Sequence, residues 1–212
     1  LSSAASDVYK RQELIGALLI AGFGTLISLF PFHSWAAPAY ASAPAPVAMM
    51  HAGVLKKFGL YGLFMFQPLM ETGFLPWTNI LLVLLVCNVI WVGYVTVNQK
   101  RLDLLLGNSS VMHMGYIFLA FAALVASGSA EANPWALKGA ALLMLAHGLT
   151  IALLFLLCGQ IEKQTGTLEI NSLGGLSTRL PRMAFVFGLA GMASIGLPGL
   201  ANFPGEFMVF FS

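Results

Sequence analysis

Residues 134–160 read PWALKGAALLMLAHGLTIALLFLLCGQ, a run whose only basic side chains are Lys138 and His147. It exceeds the roughly 20 apolar residues that carry a helix across a bilayer. In lipid a helix satisfies its backbone N–H and C=O groups from within, so such a run is read as membrane-spanning. The rest of the chain agrees: of 212 residues 58% are hydrophobic and 8% charged, with a mean hydropathy of +0.86. Ordinary soluble domains carry about 25% charged residues.

Outward from that run, apolar segments bounded by Pro, Gly and charge predict helices over 13–31, 44–67, 76–98, 104–127, 134–160 and 182–212. The expected fold class is all-α, a polytopic transmembrane bundle of about six spanning helices. Two of them look broken. The first meets Gly22, Gly24 and Pro31, and the last carries GLPGLANFPGEF over 196–207, where glycine and proline interrupt the ladder. Paired interruptions of this kind point to a transporter site, where half-helix ends meet ions near the midplane.

The opening LSSAASDVYKRQ, residues 1–12, lacks the apolar core and cleavage site of a signal peptide. It is expected to be a non-native leader, which leaves 13–212 as the transmembrane domain. That domain is expected to be a fragment, because the last residues, FMVFFS, stop inside an apolar segment. Lys100, Arg101, Lys163, Arg179 and Arg182 fall in alternate connections and Lys138 on the opposite side, which places the first set in the cytoplasm. A formal charge of +2, without a basic stripe, excludes nucleic acid as a partner. Cys87 and Cys158 lie inside apolar runs and read as small buried hydrophobes. No Gly-rich phosphate loop, metal-ligand spacing or nucleophile beside a base points to bond chemistry, and no metal or cofactor site is expected in this chain.

What remains is a set of ionisable residues where water is scarce. Lys57 lies about 20 Å along its predicted helix, counted from Pro44. An ammonium at that depth costs about 3 kcal/mol to insert and is expected to face the bundle interior, a partner or a file of water. Lys56 points about 100° away and is expected to snorkel to an interface. His147 sits mid-helix with two ring nitrogens able to take and give a proton near neutral pH. His113, in SSVMHMGY, and His51, six residues before Lys57, are weaker candidates of the same kind. Glu206 follows the break in the last segment, where a carboxylate needs a proton, a cation or hydrogen bonds.

In order along the chain, FPFHSW, AGVLKKFGLYG, SSVMHMGY, AHGLTIALLFLLCGQ, LGGL and GLPGLANFPGEF resemble the antiporter-like membrane subunits of NADH-quinone oxidoreductase, closest to chain M. The multisubunit sodium/proton antiporters share that fold. The resemblance implies two inverted repeats of five helices, each with a broken helix, of which this chain covers the middle and later part. It implies a proton path in which Lys57 bridges two half-channels, His147 relays and Glu206 stands at the second broken helix. It also implies other membrane subunits of a complex I-like assembly as partners, in a bacterial inner membrane. NADH, FMN, iron–sulfur clusters and quinone then belong to partner subunits. The pattern departs at Leu26, where a lysine is usual, at WAAPAY in place of WLPDAH, and at Leu104, where a basic pair is usual after the Asp103 turn. The missing lysine at Leu26 raises the alternative of a structural membrane subunit with a degenerate channel; a sodium/proton antiporter subunit is a further alternative.

Overall fold

The computed structural model describes residues 3–69 and 71–212; residues 1 and 2 of the expected leader, and Met70, lie outside the described residues. Every regular element among them is helical: α1 (Ser3–Ile27), α2 (Ala36–Ser42), α3 (Ala45–Met50), a π-turn (His51–Leu55), α4 (Lys56–Phe66), α5 (Glu71–Phe74), α6 (Thr78–Val97), α7 (Leu102–Ser127), α8 (Pro134–Thr165), α9 (Leu176–Arg179), α10 (Pro181–Ser194) and α11 (Asn202–Phe210), with short 3₁₀ turns between some of them. Among the described residues three stretches are long and apolar enough to cross a membrane, Thr72–Val97, Leu102–Ser127 and Pro134–Thr165.

Local chemistry sets the ends. Asn133 caps α8 by accepting from Ala136 N at 3.2 Å, Pro134 takes the first position where its missing N–H costs nothing, and Gly166 closes the helix at φ 74°. The predicted helix over 134–160 therefore runs on to Thr165. Gly22 and Gly24 do not break α1, because a lone glycine weakens a helix without ending it. The interruption starts instead at Ser28, φ 66°, ahead of Pro31, and the Ala- and Pro-rich stretch expected as a loop contains α2. The segment 182–212 is two helices separated by Ile195–Ala201, with Gly196 and Gly199 at φ 68° and 91°.

Helix α7 is the axis of the molecule, two-thirds (67%) buried along its most apolar stretch. It packs against α2, α6 and α8, with Leu60, Phe64, Phe74, Phe118, Phe121 and Leu143 forming one core and Tyr40, Val92, Val111 and Phe155 another. Buried Asn88 of α6 ties three pieces together: its amide donates to Val111 O at 3.0 Å and accepts from Phe30 N at 3.2 Å. The outer faces are greasy, as at Ile90, Leu145, Leu149 and Phe185, which suits lipid or neighbouring membrane helices.

Two connections that the charge pattern assigns to one side meet in space. Leu102 N donates to Leu168 O and Ile170 N to Lys100 O, both at 2.9 Å, as a two-residue bridge between Arg101 and Glu169. Beside it Arg101 pairs with Asp103 at 2.7 Å, and that hydrogen-bonded carboxylate raises the affinity of the guanidinium for its proton.

Candidate functional site

The site is assembled where α3, the π-turn and α4 cross α8. Gly53 and Gly148 make the crossing close, since a Cβ built at Gly148 would stand 2.7 Å from Gly53 O. Lys57 follows one turn later, with its Cε 3.8 Å from that same Cβ position, beside the His147 helix. It is 7% exposed, and its ammonium folds back to donate to Ala52 O. The π-turn widens the ladder here, the Lys56 N–H reaching back five residues to His51 O. A cavity of about 460 Å³ opens beside Lys57, lined by Met49, Phe58, Met144 and Leu149 among others.

His147 is 0% exposed. Its Nε2 lies 3.4 Å from Ser110 Oγ, while its Nδ1 is buried without a partner. The ring stacks on His113, centroids 5.1 Å apart and planes 14° from parallel. His113 holds an acceptor at each nitrogen, Ser109 O at Nδ1 and Ser194 O at Nε2, both at 2.8 Å. A neutral imidazole donates through one nitrogen, so this ring has a choice of tautomer, and only the doubly protonated ring fills both contacts. Ser194 is the last residue of α10, where carbonyls lack helical partners and carry the negative end of the helix dipole. The break after α10 thus supplies a ligand to His113.

Glu206 lies in α11, half-buried, against Gly196 at the break: a Cβ at that glycine would sit 2.8 Å from the Glu206 carboxyl carbon. Tyr116 neighbours His113 and lies near Glu206. Its ring is 6.1 Å from that of His113, and it lies within Coulombic range of the Glu206 carboxylate. His51 is placed apart from this line. Its Nδ1 is 3.2 Å from Tyr40 Oη and its ring packs on Trp35 and Tyr40.

Of the five residues expected from the sequence, the structure therefore brings Lys57, His147 and His113 together, places Glu206 near Tyr116, and sets His51 to one side. Lys56 corrects the expectation of a snorkelling side chain. It is 0% exposed, with Nζ 5.5 Å from the centre of the Tyr40 ring and no hydrogen-bond partner. Snorkelling fails because Lys56 lies on the buried face of α4, over the Tyr40 ring of α2. Ser110, Tyr116 and Ser194 were not singled out by sequence reasoning; the first two sit in the quoted SSVMHMGY, three residues either side of His113. No group of three or more His, Cys, Asp or Glu side chains converges as a metal site among the described residues.

The fold and site are those of an apolar helical membrane bundle with several titratable side chains, Lys57, His113 and His147 among them, buried between its helices. The chain belongs to the NADH:quinone oxidoreductase/Mrp antiporter transmembrane family, whose model matches residues 2–212. It is an integral membrane protein of the antiporter-like kind found in complex I. It is 38% identical over 198 residues to the NAD(P)H-quinone oxidoreductase chain 4 2 of Microcystis aeruginosa, covering 93% of this chain and 34% of that one. It is likewise 38% identical over 198 residues to chain 4-2 of Synechocystis sp., again 93% of this chain and 34% of the relative. Chain 4 and chain M are two designations for this subunit type. The chain thus spans about a third of the length of these curated relatives, 34% in each. Among solved structures, a chain of respiratory complex I from Thermus thermophilus with bound NADH superposes with a TM-score of 0.84 at 31% identity, over 94% of this chain and 41% of that one. A chain of the Mrp complex from Dietzia sp. shares the fold, with a TM-score of 0.80 at 22% identity over 93% and 36% of the two chains.

Proposed function

We propose that this chain is part of a proton-translocating membrane subunit of a complex I-like NAD(P)H-quinone oxidoreductase. Protons move along Lys57, His147, His113, Tyr116 and Glu206. The observation that carries this reading is the burial of Lys57 against the helix of His147, with the two histidine rings stacked beyond it. Each member of the line can hold and release one proton, and in a low dielectric a charge arriving at one shifts its neighbours. His51 lies outside the line, against Tyr40.

In this reading the chain contributes six crossings, with the Ser28–Trp35 and Ile195–Ala201 interruptions as its two broken helices. Its paired connections, 98–101 and 168–170, face the cytoplasm. Partner subunits hold the nicotinamide, flavin, iron–sulfur and quinone chemistry, and the membrane is a bacterial inner or thylakoid membrane. Leu26, where relatives of this kind usually carry lysine, favours a second reading, a subunit that holds the membrane arm together without pumping.

Replacing Lys57 with methionine in the assembled complex separates the two. Proton uptake and quinone reduction are measured together in sealed vesicles. The pumping reading expects a lower proton-to-electron ratio with assembly intact, and an unchanged ratio at unchanged turnover refutes it in favour of the scaffold.

A further inference from the structure

We propose that Lys56 is a second proton-holding group, which feeds Lys57 from the interruption that follows α1; this rests on the pumping reading above. The placement follows from helix geometry. Gly59 and Gly62 face α1, since a Cβ at the first would lie 2.7 Å from Ile27 Cγ1 and at the second 2.6 Å from the Phe23 ring. Lys56 precedes Gly59 by three residues, so it occupies the same face one turn further on, where α1 has ended and the chain turns at Ser28.

That helix end collects polar atoms with nothing to bind. Of the five buried side-chain polar atoms without a hydrogen-bond partner among the described residues, three belong to Ser28 Oγ, His33 Nδ1 and Lys56 Nζ. Buried polar groups of this kind are normally satisfied, and unsatisfied ones mark ordered water or a working site. Around Lys56 the titratable groups are Tyr40 on α2, His33 in the turn, His51 and Lys57 on its own helix and His147 on α8, all within Coulombic range or direct contact. No carboxylate is among them. An ammonium here has only the face of the Tyr40 ring and water to steady it. The free amine, by contrast, is an acceptor for an incoming proton.

Two adjacent ammonium groups repel, so the pair holds one proton at a time. A proton arriving from the His33 side binds the Lys56 amine. It then leaves that nitrogen for the Lys57 amine through an intervening water, so that at each nitrogen one N–H bond breaks or forms in step with one on the water and Lys56 is neutral again.

The test uses the full-length subunit in its assembled complex, in sealed vesicles, with Lys56→Met, Lys56→Arg and Lys57→Met compared. Lys56→Met is expected to lower the proton-to-electron ratio while assembly persists. Lys56→Arg is expected to be equally impaired, since a guanidinium keeps the charge but does not release its proton. Full recovery with arginine, or a Lys56→Met ratio equal to the parent's while Lys57→Met loses it, overturns the role of Lys56 and leaves the pumping reading standing. A Lys57→Met ratio equal to the parent's overturns both. Should Lys56→Met not assemble, Lys56→Gln takes its place with the same outcomes.

Discussion

Replacing Gly148 with alanine probes whether the π-turn and α8 touch as closely as the site requires. The new methyl would stand 2.7 Å from Gly53 O, and moving it out to 3.4 Å, where ordinary van der Waals contact begins, parts the two elements by about 0.7 Å. Both walls are backbone, so neither yields by a rotamer change. Overpacking of this sort costs about 1–3 kcal/mol, against a gain of about 0.5–1 kcal/mol from alanine's better helix preference. Gly188→Ala in α10 is the control, because nothing in this chain lies within 4 Å of a Cβ there and only the gain applies. The difference between the two variants isolates the clash. At about 1–3 kcal/mol it is a roughly 5–150-fold change in the local opening equilibrium. Amide hydrogen exchange of peptides covering 45–66, measured in the intact complex, reads that equilibrium. The expected result is faster exchange for Gly148→Ala than for Gly188→Ala. Equal protection in the two variants would mean that Gly53 and Gly148 do not set the spacing around Lys57.

Asn88→Ala removes the amide that joins Phe30 N to Val111 O and is expected to cost about 1–3 kcal/mol, the penalty for a buried backbone group left without a partner. Faster exchange confined to the Ser28–Trp35 turn and α7 would bear this out, and unchanged protection in both would contradict it. Gly196→Ala forces a side chain into φ 68° and into the space of the Glu206 carboxylate, adding about 1–2 kcal/mol of backbone strain and displacing Glu206. Labelling of Glu206 by a lipid-soluble carbodiimide should change in rate, whereas an unaltered rate argues that the glycine does not position the acid.

The membrane character and most helix boundaries are legible in the sequence because apolar length and punctuation by Pro and Gly are local properties. Burial of Lys57 and His147 is legible for the same reason: a charge in an apolar run must find the interior. Lys56 is not, since position on a helix says nothing about what covers that face. The glycines at 59 and 62 were the available signal, marking where α1 approaches and therefore which way Lys56, one turn earlier, must point. Helix α2 hides in an Ala- and Pro-rich stretch whose composition suits a turn as well as a short helix. The π-turn leaves no trace in HAGVL, although it packs on α8. Tyr116 and Ser194 acquire meaning only once α7 is seen beside the break after α10.

The wide turn at His51–Leu55 also bears on how such a chain arises. A π-turn amounts to one amino acid more than a regular helix requires, accommodated without rotating the flanks out of register. A single inserted codon would then be enough to convert a plain hydrophobic rod into one that presents its own main-chain oxygen to an amine, with no acidic side chain recruited for the purpose.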